Sequence, residues 1–93
     1  MNITEHARAR CLQRGISQNL LQIIYAEADR QFACGGGCFA IEVSRRRIAE
    51  RRRIVGANIE RARNVILVLS MDNSLVTVLR ANKSKSARQY RTN

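Results

Sequence analysis

Proline and tryptophan are absent from this chain of 93 residues, and histidine occurs once. Without proline, helix and strand ends must be set by capping side chains and glycine. Aromatic residues make up 4% of the sequence, Tyr25, Phe32, Phe39 and Tyr90. So few rings argue against a sheet that binds single strands by stacking bases. Carboxylates are scarce too: seven Asp and Glu face 17 Lys and Arg, a net charge of +10. Lysine itself is limited to Lys83 and Lys85. No apolar run approaches the roughly 20 residues that span a bilayer. The N-terminus is polar and lacks a secretory signal pattern, so the expected compartment is the cytoplasm.

The three cysteines, Cys11, Cys34 and Cys38, are an odd number in such a chain, which argues against a disulfide framework. Cys34-Gly-Gly-Gly-Cys38 does not have the spacing of a zinc ribbon or finger, and Cys11 would have to reach it from a helix. It reads as reduced thiols around a glycine turn, with no metal and no cofactor expected.

What the sequence does hold is 45% hydrophobic residues in periodic blocks, enough for one small core. Thr4 caps a first helix that runs to about Arg14, where Gly15 takes a left-handed turn. Ser17 caps a second helix to about Ala28, with Leu20, Leu21, Ile24, Tyr25 and Ala28 on one face. Gln31, Phe32 and Ala33 enter a short strand, and Gly35-Gly36-Gly37 turns the chain. Phe39, Ile41 and Val43 then alternate with Cys38, Ala40 and Glu42, a strand with one apolar face. Ser44 caps a basic helix ending near Gly56, and residues 58–63 add either a further turn or a loop. The run Val65-Ile-Leu-Val-Leu69 fits a central strand covered on both faces. A two-residue turn at Asp72-Asn73 leads into Leu75-Val-Thr-Val-Leu79 as its antiparallel neighbour. The expected fold is α+β: an N-terminal helical hairpin and a basic helix packed on one face of a small antiparallel sheet of about four strands. Residues 1–81 form one domain, and residues 82–93 are a basic, polar tail.

The basic helix carries the run RRRIAERRR, in which six of nine residues are arginine: Arg45, Arg46, Arg47, Arg51, Arg52 and Arg53. Like charges on one short helix repel, and a polyanion relieves that cost. The guanidinium is a planar fork matched to phosphate, so nucleic acid is the first partner to consider. The arginines point around the whole circumference, so one groove cannot use them all. An acidic protein is a natural second partner for the rest.

The first helix holds a quieter pattern. His6, Arg10 and Arg14 lie four residues apart, one stripe that drifts about 80° around the helix. Ile3, Ala7 and Cys11 lie beside it on the buried side. Histidine gains and loses a proton near neutral pH, and two guanidiniums can hold a phosphate and its developing charge. RNA supplies its own 2′-hydroxyl nucleophile. The same spacing also arises on any solvated basic helix, and spacing alone does not separate the two.

The segment His6-Ala-Arg-Ala-Arg10-Cys-Leu-Gln-Arg14-Gly15-Ile16-Ser17 resembles the opening motif H-x-x-x-R-x-x-x-R-G-I-S of a family of small, mostly uncharacterised domains. The glycine-rich hairpin, the central strand at residues 64–70 and the closing strand at residues 76–80 are also similar. That family resembles the barnase–EndoU–colicin–RelE group of metal-independent ribonucleases, which includes toxins of toxin–antitoxin pairs. The resemblance implies an RNA-cleaving toxin or a relative of one, with His6, Arg10 and Arg14 in the active site and polar residues of the last strands completing it. It also implies an acidic antitoxin as partner. Two features depart from the family pattern: the density of arginine in residues 45–53, and Asp72-Asn73-Ser74 where a glycine turn is usual.

On the closing strand the candidates are Thr77, for the catalytic set, and Arg80, for phosphate. In a regular strand they point to opposite faces, so both line one site only if the strand bulges. For Thr77, mid-strand among apolar residues, a buried hydrogen-bonded threonine is the commoner explanation, and Arg80 is alternatively the first solvated residue after the strand. In the tail, Tyr90 beside Arg88 could stack a base. Ser44 reads as a helix cap rather than a nucleophile. The other class that fits is a non-catalytic nucleic-acid-binding regulator, or an interaction domain for an acidic protein.

Overall fold

A computed structural model describes residues 1–80. The expectations for residues 82–93, including Arg88 and Tyr90, lie outside the described residues. The elements in chain order are β1 (Asn2–Ile3), α1 (Glu5–Arg14), α2 (Gln18–Glu27), β2 (Arg30–Gly35), β3 (Cys38–Glu42), α3 (Arg45–Val55), a 3-10 helix (Ala57–Ala62), β4 (Val65–Ser70) and β5 (Ser74–Arg80).

Each α-helix starts on a hydroxyl cap. Thr4, Ser17 and Ser44 sit in extended backbone and accept hydrogen bonds from the amides of Ala7, Leu20 and Arg47 at 3.1 Å each. Gly15 ends α1 with φ of 65°, and its amide returns to the carbonyls of Cys11 and Leu12. The residues after α3, open between turn and loop on sequence, form the 3-10 helix that buries Ile59 and Ala62.

The fold is α+β, but the sheet has five strands and is mixed, where about four antiparallel strands were expected. Its order is β1-β5-β4-β3-β2. The extra strand is β1, which pairs parallel to β5 through Asn2↔Ser74 and Ile3↔Leu75. Two residues carry no readable periodicity. They become a strand because Thr4 docks α1 on β5: its amide and its Oγ1 both donate to the Leu75 carbonyl, at 3.2 and 2.9 Å. The expected two-residue turn at Asp72-Asn73 is a three-residue loop, since β4 ends at Ser70 and β5 begins at Ser74. Asn73 takes φ of 70°, its amide donates to the Ser70 carbonyl, and its Nδ2 donates to the Tyr25 hydroxyl at 2.7 Å.

β4 is central, and Val65 through Leu69 are all buried. The main core lies between one sheet face and the helices, with Leu21, Ile24, Ile48, Ile59, Leu67, Leu75 and Val78 at its heart. A smaller cluster on the other face holds Ala40 and Ile66, with Phe32, Cys34 and Leu79 against them. β3 is therefore not apolar on one face only, because Ala40 and Glu42 are buried as well. Ala40 is shielded by its cross-strand neighbours Phe32 and Val68, and Glu42 pairs with Arg30 at 3.6 Å.

Candidate phosphate-binding stripe and arginine helix

The docking of Thr4 sets the rotation of α1. Ala7 and Cys11 face the core, which leaves His6 exposed and Arg10 and Arg14 half-buried along the flank. Arg10 Nε donates to His6 Nε2 at 3.5 Å, and Arg10 Nη1 donates to Gln13 Oε1 at 3.1 Å. Arg80 Nη2 donates to the Arg14 main-chain carbonyl at 2.9 Å. That guanidinium caps the C-terminal end of α1, where carbonyls lack helical partners and a cation is favoured. The fold thus gathers His6, Arg10, Arg14 and Arg80 along one helix. Gln13, which steers the Arg10 guanidinium, went unnoticed in the sequence, although its i,i+3 spacing to Arg10 was readable.

Thr77 is not brought to this stripe. β5 does bulge, since Val68 pairs with Thr77 while Leu69 pairs with Leu75, leaving Val76 as the extra residue. The bulge precedes Thr77, and pairing is regular from Thr77 to Arg80. Thr77 therefore shares a face with Leu79 of the smaller cluster, while Arg80 shares one with Val78 of the helix-covered core. Arg80 is accordingly neither a bare solvated residue nor free for phosphate on every donor.

The six arginines of α3 divide by direction. Arg51 grips Glu27 with two hydrogen bonds, Nε at 2.8 Å and Nη2 at 3.2 Å, and Arg47 Nη2 reaches the same carboxylate at 3.2 Å. The hydrogen bond from Arg51, with both positive charges, holds the Glu27 carboxyl below the usual range against the opposing effect of burial. Arg52 lies 3.8 Å from Glu60, which also meets Arg63 at 3.9 Å. Arg46 pairs loosely with Glu50 at 3.6 Å, its side chain 88% exposed. Arg45 and Arg53 are exposed and have no side-chain partner among the described residues. The chain's own Glu27 thus meets Arg47 and Arg51 on the inner side of the helix.

Ser44 serves structure. Its amide and Oγ donate to the two oxygens of Asp29 at 2.8 and 2.7 Å, while Oγ also accepts from Arg47 N. Burial pushes the Asp29 carboxyl up, but the bonds from Ser44, with Asp29's own amide and the Arg47 charge, leave it below its ordinary value. Cys11 lies in the core beneath α1, whereas Cys34 and Cys38 flank the β2–β3 turn; burial raises the thiol pKa of Cys11 and of Cys34. Among the described residues, no three His, Cys, Asp or Glu side chains are grouped so as to hold a metal ion, and no helix is long and apolar enough to cross a membrane.

Comparison with protein families, curated proteins and solved structures found no match to this chain. The expected relation to metal-independent ribonucleases rests on the sequence motif at residues 6–17 and the strand pattern alone.

Proposed function

We propose that this protein is a ribonuclease of the metal-independent kind, of the sort found as toxins in toxin–antitoxin pairs. In this reading His6 moves the proton, and Arg10 and Arg14 bind the phosphate. The observation that supports it most is the contact between Arg10 Nε and His6 Nε2. It sets a guanidinium and an imidazole side by side on an exposed helix flank. At 3.5 Å the contact is at the long limit of a hydrogen bond and exchanges easily.

A phosphodiester arriving at the flank offers Arg10 two oxygens in place of one ring nitrogen, a charge-assisted pairing that the guanidinium favours. Its departure frees the Nε2 lone pair, which takes the proton of the ribose 2′-hydroxyl. The 2′-oxygen then bonds to phosphorus and the bond to the 5′-oxygen breaks, giving a 2′,3′-cyclic phosphate and a 5′-hydroxyl end. The chain has one histidine, so the imidazole that took the proton is the one available to return it to the leaving oxygen. Arg10 and Arg14 stabilise the extra negative charge on the phosphoryl oxygens.

The test is cleavage of total and synthetic RNA by the full chain, with growth on expression as a second readout. His6→Ala and Arg10→Ala are expected to remove activity with little change in thermal stability, because His6 is exposed and the Arg10 guanidinium bonds only to exposed side chains of its own helix, His6 and Gln13. A wild type that cuts no RNA and leaves growth unchanged refutes the enzyme reading. The exposure of His6 favours a second reading, non-catalytic nucleic-acid binding, in which affinity falls with salt, RNA stays intact and His6→Ala has no effect. In a toxin setting an acidic antitoxin would meet Arg45, Arg46 and Arg53.

A further inference from the structure

We propose that the outward face of α3 binds double-helical nucleic acid through phosphates on the two sides of a groove, with Arg45 and Arg46 at one end and Arg53 at the other. This rests on the nucleic-acid reading above but not on cleavage.

The first support is the sorting of charge. Glu27 holds Arg47 and Arg51 and Glu60 draws Arg52, whereas Arg45 and Arg53 have no side-chain partner among the described residues and Arg46 has only a 3.6 Å contact with the exposed Glu50, so the outward arginines are the most available to a ligand. The second is rigidity. Asp29 fixes the start of α3 through Ser44, and Glu27 ties its middle to the end of α2. The outward arginines therefore stand on a rod whose direction is set before any ligand arrives.

The third is spacing. Arg46 and Arg53 are seven residues apart, about 10.5 Å along the axis, and leave the helix within about 20° of the same direction. Exposed Ala49 and Glu50 lie between them, and a phosphate would take the place of Glu50 at the Arg46 guanidinium. Successive charges on one strand of a duplex are only about 3.4 Å apart along the axis, whereas a DNA major groove is about 12 Å wide. Double-helical RNA offers its wide, shallow minor groove instead. Two cations about 10 Å apart on one rigid face suit phosphates across a groove.

The fourth is the state of the rings. A single-strand site needs aromatic faces on which bases stack. Among the described residues, Phe32 is half-buried with the Arg30 guanidinium 5.6 Å from its ring centre. Phe39 and Tyr25 pack against the core, and the Tyr25 hydroxyl accepts from Asn73. A duplex keeps its base faces covered and presents phosphate, which matches what α3 displays.

The experiment is fluorescence anisotropy with the full chain and labelled duplexes of about 20 base pairs, in RNA and in DNA, against their separated strands across a salt series. Both duplexes are expected to bind at least about tenfold more tightly than either strand, a difference of about 1.4 kcal/mol. Three phosphate contacts give a log–log salt slope of about −2.7, and Arg46→Gln/Arg53→Gln is expected to flatten it by about 1.8 and abolish the duplex preference. Equal or tighter binding of single strands overturns the proposal. So does a slope unchanged by the double variant, or full displacement of duplex by poly-glutamate at equal charge, which would mark a surface for acidic protein. Binding without cleavage thus removes the enzyme reading alone, and cleavage without duplex preference removes this proposal alone.

Discussion

Removal of the Glu27 carboxylate is expected to cost this small domain a large part of its stability. Glu27 is 12% exposed, and its partners Arg47 and Arg51 are 37% and 30% exposed. Fully exposed ion pairs contribute about 0.2–1 kcal/mol, while breaking a buried one costs about 3–5 kcal/mol. Three short contacts in a half-buried setting place Glu27→Ala between these limits, at about 2 kcal/mol. The substitution also leaves the Arg51 guanidinium without its carboxylate and Arg47 with only the charge of Asp29 nearby, and Arg47 Nε is already buried without a hydrogen-bond partner. At roughly 4–8 °C per kcal/mol for a domain of this size, the midpoint is expected to fall by about 8–16 °C. Circular dichroism melts at pH 7 measure this, and Glu27→Gln, which keeps the shape and one acceptor, is expected to lose less.

The pH dependence gives a second check on the same residue. Because Arg51 and Arg47 hold the folded carboxyl below its ordinary pKa, the native state binds fewer protons than the unfolded chain as acid is added. The contribution is complete above the unfolded pKa and is lost as pH falls through the folded one. The gap between wild type and Glu27→Gln is therefore expected to be widest near neutral pH and to close below the ordinary glutamate range. A midpoint change under about 2 °C, or a gap that stays constant from pH 7 into acid, refutes the reasoning.

Thr4→Ala is expected to lose about 1–2 kcal/mol in chemical denaturation, since the hydroxyl both caps α1 and donates to the Leu75 carbonyl on β5. Gly15→Ala places a β-carbon at φ of 65° and is expected to cost about 1–2 kcal/mol in the same assay, with Gly15→Asn costing less. Leu67→Ala, at a fully buried position on the central strand, is expected to cost about 2–5 kcal/mol and to leave too little stability for a sharp melt.

Local interactions made much of this fold readable. The caps at Thr4, Ser17 and Ser44 each act over three residues, and the left-handed Gly15 acts over one turn, so the helix starts and the end of α1 follow from nearby side chains. Val65 through Leu69 announced a central strand because only a strand covered on both faces keeps such a run. The two-residue β1 was not readable, because its pairing depends on where α1 docks. Nor was the buried second face of β3, because Ala40 is sheltered by larger neighbours on β2 and β4. The Asp72-Asn73 turn was one residue longer than expected, because Asn73 takes the left-handed conformation that glycine would otherwise supply.

The sequence by itself determined the strong positive charge, the helix caps and the i,i+4 placement of His6 beside Arg10, since these are set by composition and by contacts within one helix turn. Tertiary structure alone decided that the bulge of β5 falls before Thr77, so that Thr77 and Arg80 keep the opposite faces of a regular strand, and that Arg80 closes the end of α1. It also decided which arginines of α3 are engaged, because the carboxylates that hold them, Glu27 and Glu60, come from α2 and the 3-10 helix. A charge is written in the sequence, but its availability depends on whichever opposite charge the fold brings within reach.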